Sequence, residues 1–556
     1  MLYRCRWSCG DHLSPYQEAC DVAVQTFGDA VDDVASRCSS APAIVDDDGH
    51  HSWAQLRDVA DALARSFLAL GVCRGDYLAG LLRNRARWVA CCLAASKVGA
   101  VFVPLNTWYK PRELAWTLRH TGAVGLIAEP RFLGHDWVAD LEEIEPTLRT
   151  AERGAIQGAE LPDLRWLAWT EGAHGAGWSW DELLAIGHSV QDADRAARQA
   201  EAAGSDPLLV LYTSGSTGNP KGVVLAQGPL LENGRGIGDR RDVRPGDRVW
   251  LGSPFFYGLA SANALPVVLT HDATLVVQDR FDEERALSLI EGEACRVFYG
   301  MSNMIRRIYE APTYSRDRVA SLERGSAGIE VPERRLLLVE MGVSGATNSY
   351  GSTELCGNSL MGEVDDPLEL KLTTAGRPLP GFEAQVVDPD TLQPLGVGEV
   401  GLLRMRGHSA VGYLHDSEAT AAAWDGAGWY STGDLGSVDR ENRFRWRSRL
   451  KEMVKTGGIN VSPAEIELLL QGHPAVREAY VVGVPDASRG EVPVAFVVAD
   501  DGVTEQELRG YVRSVAANFK VPAQVFLRRS DQIFRTASGK PGRPALKEEA
   551  MRLRAG

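Results

Sequence analysis

Apolar positions recur at helical spacing over residues 56–70, where Gly71 ends the run, and residues 77–82 follow as a short apolar strand. The pattern then repeats: 88–98 and 112–121 predict helices, while 101–104 and 124–128 predict strands. Helices and strands in this rhythm predict a parallel sheet with helices on both faces. The longest apolar window, 88–105, is broken by Lys97, Gly99 and Pro104, so it predicts a buried helix followed by a strand and not a membrane span. From residue 374 the pattern turns β-rich, with strands predicted at 383–387, 398–406 and 436–446. Beyond it, strands at 476–484, 492–498 and 524–527 with a helix capped at Thr504 predict a compact α+β domain. Ser462-Pro-Ala-Glu465 reads as a capping box with proline at the first helical position.

One stretch interrupts the alternation with chemistry. Residues 208–211 predict a buried strand and 223–225 a second apolar run, with T-S-G-S-T-G-N-P-K-G between them at 213–222. Gly215 and Gly218 let backbone N–H groups approach an anion, Thr213, Ser214, Ser216 and Thr217 supply hydroxyls, and Lys221 supplies fixed positive charge. That is a loop suited to phosphate, although a glycine- and serine-rich surface turn shares its composition. It is not a Walker A loop, which needs glycine before its lysine and a hydroxyl residue after it; Lys221 lies between Pro220 and Gly222.

Further candidate chemistry follows. Gly252-Ser-Pro-Phe-Phe-Tyr-Gly-Leu-Ala-Ser261 reads on its own as an apolar strand turning at Pro254 and Gly258. Residues 252–265 hold no Asp or Glu. Asn348-Ser-Tyr-Gly-Ser-Thr-Glu354 brings an aromatic ring, hydroxyls and a carboxylate into one turn, a composition that an ordinary loop also has. The literal G-x-G-x-x-G at 396–401 is rejected as dinucleotide-binding, because no strand leads in and an extended run follows. Asp434 closes W-Y-S-T-G-D, and Lys540 sits on the glycine loop F-R-T-A-S-G-K-P-G-R at 534–543.

Composition narrows the classes. The 556 residues allow several domains, and 44% apolar with 24% charged residues is ordinary for a globular protein. A net charge of -15 argues against a nucleic-acid surface and leaves any anionic ligand to local loops. Nine scattered cysteines without a CxxC pair match a reduced, cytoplasmic protein, and residues 1–11 lack the apolar core of a signal peptide. Cys5, Cys9 and His12 lack a fourth ligand and a zinc-type spacing.

Taken in order, T-S-G-S-T-G-x-P-K-G, N-S-Y-G-S-T-E, the 429–434 and 449–467 segments and the 534–543 loop resemble the adenylate-forming superfamily: acyl-CoA synthetases, aryl-CoA ligases, firefly luciferases and peptide-synthetase adenylation domains. The likeness spans roughly residues 24–543. It implies an α/β protein with a large N-terminal domain (1–449) of parallel-rich sheets with helices plus a small β-barrel-like subdomain near 374–446. A small mobile α+β C-terminal domain (450–556) would follow, hinged at Lys451. It implies ATP, Mg²⁺ and coenzyme A as ligands, and catalytic roles for Lys540, Thr353 and Lys221. Nucleotide binding falls to Thr213, Ser214, Gly215, Ser216, Thr217, Gly218, Ser326, Ala327, Tyr350, Gly351, Ser352, Asp434 and Arg449, and metal binding to Glu354. The acyl pocket would use Tyr257 as its gate with Gly258, Gly300 and Gly328, and the small lining of Gly258, Ala260, Gly300, Ala327 and Gly328 implies a wide apolar cavity and a bulky or cyclic carboxylic acid. Amino-acid-activating relatives place a carboxylate in the 252–265 segment to pair the substrate ammonium, and its absence here disfavours an amino-acid substrate. Lys451, Lys455, Gly457 and Gly458 would serve the hinge and the CoA tunnel.

The activity this implies is that of an AMP-forming acyl-CoA ligase. The motifs are shared by an enzyme that mainly thioesterifies a preformed adenylate, by one that loads a carrier protein, by a luciferase-like oxygenase and by a non-catalytic nucleotide-binding protein. Partners are a carboxylic acid or acyl-adenylate, ATP and CoA, with no nucleic acid and no stable membrane insertion, and a homodimer is left open. Three positions depart from the family pattern: Phe534 stands for proline, Gln227 for histidine after the phosphate loop, and Tyr257 for the commoner gating histidine.

Overall fold

The apolar runs become two parallel-rich sheets in the computed structural model, which describes residues 25–213, 220–328, 330–456, 459–486, 489–516, 518–535 and 541–555. One sheet is ordered Gly345–Thr347, Arg324–Ser326, Val297–Tyr299, Arg248–Leu251, Thr274–Val277, Pro42–Asp46 and Gly49–Ser52, parallel except at its last pair. The second carries Pro207–Thr213, Val101–Pro104, Tyr77–Leu81, Gly125–Ala128, Trp166–Trp169 and Gly177–Ser179 in parallel. Its other edge is extended by the antiparallel strands Lys221–Ala226 and Gly412–Tyr413.

The predicted helices appear as Trp53–Ala69, Ala86–Val98 and Pro111–Thr121, and the last two end on Gly99 and Gly122 at φ +70° and +67°, where glycine carries no strain. In Ala86–Val98 every residue but Arg87 is buried, as expected for a helix that is apolar all round. Trp88 explains why: its ring meets Phe102 of one sheet edge-on at 5.2 Å and stacks on Phe255, which follows a strand of the other, at 4.5 Å. The expected strand over Gly252–Ser261 does not form. The strand ends at Leu251, and Leu259–Ala264 is instead a π-helical turn running into the helix Leu265–Thr270. Such turns concentrate at functional sites.

The chain forms two units: residues up to Glu383 with Arg406–Tyr430, and Ala384–Met405 with the residues from Ser431 onward. In the second unit, strands Glu383–Val387, Gly401–Arg406, Tyr430–Val438 and Phe444–Arg449 make one sheet. A five-stranded sheet follows, centred on the long hairpin Val476–Asp486 and Gly490–Ala499, with Gln524–Leu527 parallel to the latter. Val481 and Ile466 pack on one of its faces, Val494 and Leu546 on the other. Ser462 caps the helix Pro463–Gln471 by accepting the Glu465 N–H at 3.3 Å. The reciprocal half of the predicted capping box is missing, because the Glu465 carboxylate binds Lys520 at 2.6 Å. Among the described residues no helix is long and apolar enough to cross a membrane.

Lys97 is fully buried in the central helix, 2.6 Å from Asp32 and 2.7 Å from Asp61. Without Lys97, Asp61 keeps Arg195 at 3.3 Å and the partly exposed Asp32 keeps Gln199 Nε2 at 2.8 Å, so the loss falls below the roughly 3–5 kcal/mol of an isolated buried pair. Lys97→Met is therefore expected to lower stability by about 2–3 kcal/mol in urea unfolding; an unchanged midpoint would contradict a structural role for this cluster.

Candidate active site

The phosphate-type loop joins two strands of one hairpin. Pro207–Thr213 and Lys221–Ala226 are antiparallel in the register Thr213↔Lys221, so these two residues face each other where the chain leaves and re-enters the sheet. This strand–loop–strand setting confirms that the loop is no Walker A motif, which would lead into a helix. Ser214, Gly215, Ser216, Thr217 and Gly218 lie outside the described residues. On the strand Pro207–Thr213, the Tyr212 hydroxyl meets His120 Nδ1 at 2.8 Å and Thr121 Oγ1 at 2.9 Å, and burial raises the phenol above the usual tyrosine range.

Most of the remaining predicted residues of the first unit gather at the carboxyl ends of adjacent parallel strands, where open α/β sheets bind ligands. Gly252 to Gly258 follow Leu251, Gly300 follows Tyr299, Ser326 ends a strand that leads to Ala327 and Gly328, and Asn348 to Tyr350 follow Thr347. The Ala327 N–H donates to Thr347 O at 2.9 Å, locking the last two strand ends together.

Ser349–Ser352 and Gly357–Met361 form a tight antiparallel hairpin with Thr353 and Glu354 in its turn. A Cβ at Gly351 would lie 1.9 Å from Gly357 O, so only glycine lets the strands approach this closely. Ser352 Oγ is buried with no hydrogen-bond partner among the described residues, an unused donor beside Thr353. Glu354 Oε1 accepts the Tyr413 hydroxyl at 3.1 Å, and the Lys221 ammonium stands 4.7 Å from the Tyr413 ring centroid. Burial, and then the Glu354 carboxylate, raise the Tyr413 and Tyr430 phenols well above the usual range.

These features fit a nucleotide and its metal. Among the described residues no three His, Cys, Asp or Glu side chains cluster into a metal cage. A lone carboxylate at Glu354 next to phosphate-seeking donors is instead the pattern for Mg²⁺, which is held by one or two carboxylates and substrate phosphates.

Gly258, one of the residues expected to line an acyl pocket, adjoins this hairpin. A methyl group added at Gly258 would sit 3.7 Å from Thr353 Oγ1 and 3.8 Å from Leu211 Cδ1. Tyr257 packs near Trp108 and Phe256, with ring centroids 5.8 and 4.7 Å away, and burial pushes its phenol up to about 12. Gly300 and Gly328 are small for reasons the sequence hid. A Cβ at Gly300 would meet the Phe298 ring at 2.5 Å, and Gly328 adopts φ +76° against Ser302. The Phe298 and Trp250 rings therefore fill the space beside Gly300, while Gly328 faces Ser302 and Ile305.

In the second unit Asp434 pairs across the sheet with Arg449 and receives the Arg449 Nε at 3.1 Å and the Trp446 indole N–H at 3.0 Å on one oxygen, Oδ1. Lys451 follows in the turn Leu450–Glu452, and Lys455 lies on the strand Val454–Thr456. Gly457 and Gly458 fall outside the described residues, as does Lys540. The Lys540 loop is nonetheless closed at its root by the Arg535↔Pro541 bridge and by Gly542 N–H donating to Phe534 O at 2.8 Å. Arg543 then grips Glu467 through two bonds of 2.8 and 3.1 Å and reaches Glu452 at 3.4 Å, tying this root to the turn that holds Lys451.

Sequence reasoning missed three buried asparagines that brace the first unit's site. Asn84 accepts Phe255 N–H at 2.9 Å and donates to Ser253 O at 3.0 Å. Asn263 donates to Gly258 O at 3.2 Å and accepts Asn358 N–H at 3.1 Å, joining the acyl segment to the Thr353 hairpin. Asn233 donates to Cys356 O and Asn358 O, both at 2.9 Å. Asn263 shows in the sequence as a lone amide inside an apolar run, whereas Asn84 between two arginines and Asn233 between Glu232 and Gly234 give no such signal. Gln227 is an anchor of the same kind: its side-chain oxygen takes Phe27 N–H and Ser96 Oγ, at 3.1 and 2.5 Å.

Comparison with known proteins agrees with this geometry. Residues 31–414 match the AMP-binding enzyme family and residues 465–540 the AMP-binding enzyme C-terminal domain. The chain is 35% identical to the 3-[(3aS,4S,7aS)-7a-methyl-1,5-dioxo-octahydro-1H-inden-4-yl]propanoyl:CoA ligase of Mycobacterium tuberculosis, over 94% of this chain and 99% of that protein. It is 30% identical to the mitochondrial medium-chain acyl-CoA ligase ACSF2 of Rattus norvegicus, over 94% and 87%. Among solved structures, o-succinylbenzoate CoA synthetase of Bacillus subtilis with its acyl-adenylate superposes with a TM-score of 0.75 at 26% identity, over 94% of this chain and 98% of that one.

Asn263→Ala removes both bonds of the relay from Gly258 O to Asn358 N–H, and buried hydrogen bonds of this kind contribute about 1–3 kcal/mol. Amide exchange at Asn358 is expected to speed up, with a lower unfolding temperature. Unchanged protection at Asn358 would show that the brace carries no load.

Proposed function

The chain belongs to the AMP-binding enzyme family as an ATP-dependent, AMP-forming acyl-CoA ligase, and from that premise we propose that it activates a bulky or cyclic carboxylic acid. One observation carries the reading: Gly258 of the acyl segment abuts Thr353 of the nucleotide hairpin, so a carboxylate lying along the first meets a phosphate held by the second. The bicyclic acid named for the mycobacterial relative and the aromatic acid of the o-succinylbenzoate enzyme support a ring-bearing substrate, while the medium-chain relative marks the competing choice.

In this reading a carboxylate oxygen attacks the α-phosphorus of ATP, the bond to the bridging oxygen breaks, and pyrophosphate leaves from an acyl-AMP. Lys221 and the phosphate loop draw charge from the departing phosphates, Thr353 hydrogen-bonds the α-phosphate, and Lys540 stands between the carboxylate and that phosphate. Glu354, together with phosphate oxygens, would hold Mg²⁺, which when bound would neutralise charge on the leaving group. Tyr350 stacks on the base beside Ser326 and Ala327, and Asp434 with Arg449 holds the ribose. The small domain from residue 450 then turns about Lys451, withdrawing Lys540 and presenting Gly457 and Gly458 beside the pantetheine with Lys455. The CoA thiol loses its proton and attacks the acyl carbonyl, and AMP departs.

A panel of acids scored for CoA-dependent AMP release tests the substrate class: ring-bearing acids are expected to lead, and a steep preference for acetate would overturn it. A charge about 4 Å from the reacting phosphate contributes roughly 4 kcal/mol at an intermediate dielectric. Lys540→Ala is therefore expected to cut acid-dependent ATP–pyrophosphate exchange by about a hundredfold or more, while thioester formation from supplied acyl-AMP persists. Equal loss in both assays would contradict the division of labour. Wild-type protein that consumes acyl-AMP without catalysing exchange would instead mark an enzyme confined to the second half-reaction.

A further inference from the structure

Tyr413 touches both charged groups of the site. It lies on the short strand Gly412–Tyr413, paired antiparallel to the strand that begins with Lys221 in the register Val223↔Tyr413. Two backbone bonds, Leu414 N–H to Gly222 O at 2.7 Å and Val411 N–H to Val224 O at 2.8 Å, fix that register on either side of the tyrosine. Its own N–H is held by Thr420 Oγ1 at 2.9 Å. Behind the ring, Trp424 lies 5.5 Å from Tyr413 and 4.9 Å from Tyr430, so the side chain is backed by an aromatic wall.

The two ends of this ring do different work. Its π-face meets the Lys221 ammonium at 4.7 Å, a cation–π contact. Its hydroxyl donates to Glu354 Oε1 at 3.1 Å, and a carboxylate can only accept. Neither Lys221 nor Glu354 forms an ion pair with another described residue. In a partly dry site a lysine and a glutamate this close to a common side chain attract strongly. A direct pair would consume the very charges needed for phosphate and metal.

We propose that Tyr413 is a positioning residue that keeps Lys221 and Glu354 apart and aimed, so that MgATP meets both charges without first breaking an ion pair. The inference rests on the reading of Lys221 as a phosphate ligand and Glu354 as a metal ligand given above. It assigns Tyr413 no contact with the reacting atoms. It also explains an aromatic residue at this register position, since an aliphatic side chain could fill the space but could neither accept the cation nor donate to the carboxylate.

The test compares MgATP with metal-free AMP, both titrated calorimetrically into the full-length protein. AMP lacks the phosphates and metal that Lys221 and Glu354 serve, so it reports the intact fold and base site. Tyr413→Phe keeps the ring and loses only the hydroxyl; it is expected to weaken MgATP binding about tenfold, the scale of a hydrogen bond to a charged group, with AMP binding unchanged. Its apparent Mg²⁺ requirement is expected to rise. Tyr413→Leu removes the spacer as well and is expected to lose more MgATP affinity than Tyr413→Phe; should it fail to fold, Tyr413→Phe alone decides. A wild-type ratio of MgATP to AMP affinity in Tyr413→Phe, or parallel loss of both ligands, would overturn the inference. Wild-type protein that binds no MgATP would fail the functional reading itself and take this inference with it.

Discussion

A single carbonyl oxygen sets the scale of the site. Gly357 O lies 1.9 Å from where a side chain at Gly351 would begin, so the hairpin can close only because that side chain is missing. Closure makes the turn sharp enough to project Thr353 and Glu354 together, and Cys356, at φ 52°, ends it in the left-handed region. A hairpin this tight exposes backbone groups in a dry interior, where each must find a partner. Asn233 and Asn263 answer that need from behind, and Gly357 leaves room for Asn263 because a Cβ there would meet its amide at 2.6 Å. Glycine in front and asparagine behind form one device, and the acyl segment is tied into it through Gly258 O.

The overall architecture was legible because parallel sheets bury both faces and so write themselves as apolar runs. The helix Ala86–Val98 and the strand Val101–Pro104 emerge within two residues of expectation. The places where function sits were less legible. Gly252–Ser261 reads as a strand by composition, yet it leaves the sheet because Asn84 captures Ser253 and Phe255 and a π-turn begins at Leu259. Gly300 reads as open space in the sequence, whereas Phe298 fills it from its own strand. Such contacts depend on residues brought together from distant parts of the chain, and neither periodicity nor local motif carries them. Tyr413 shows the same limit: Glu354 precedes it by 59 positions, and no spacing rule connects them.

Within the second unit the ribose-type carboxylate and the tail loop follow a similar logic of fixed supports around a functional tip. Asp434 is nearly buried and is held on one oxygen by Trp446 and Arg449. Arg543, placed just after the Lys540 loop, binds Glu467 on the helix Pro463–Gln471 and Glu452 beside Lys451. Burial raises the Glu452 carboxyl above its usual range, and the Arg543 guanidinium opposes that rise. The tail loop and the proposed pivot thus share one charged anchor, so the root of the loop and the turn at Lys451 are expected to move as one body.

The central claim is that the carboxyl group itself attacks the α-phosphorus of ATP. The most direct measurement follows oxygen atoms: an accepted acid labelled with oxygen-18 in its carboxylate is turned over with ATP and CoA, and the products are weighed by mass spectrometry. The account predicts one labelled oxygen in the phosphate of AMP and none in pyrophosphate. Label appearing in inorganic phosphate with ADP as the nucleotide product, as attack on the terminal phosphate would give, would contradict it.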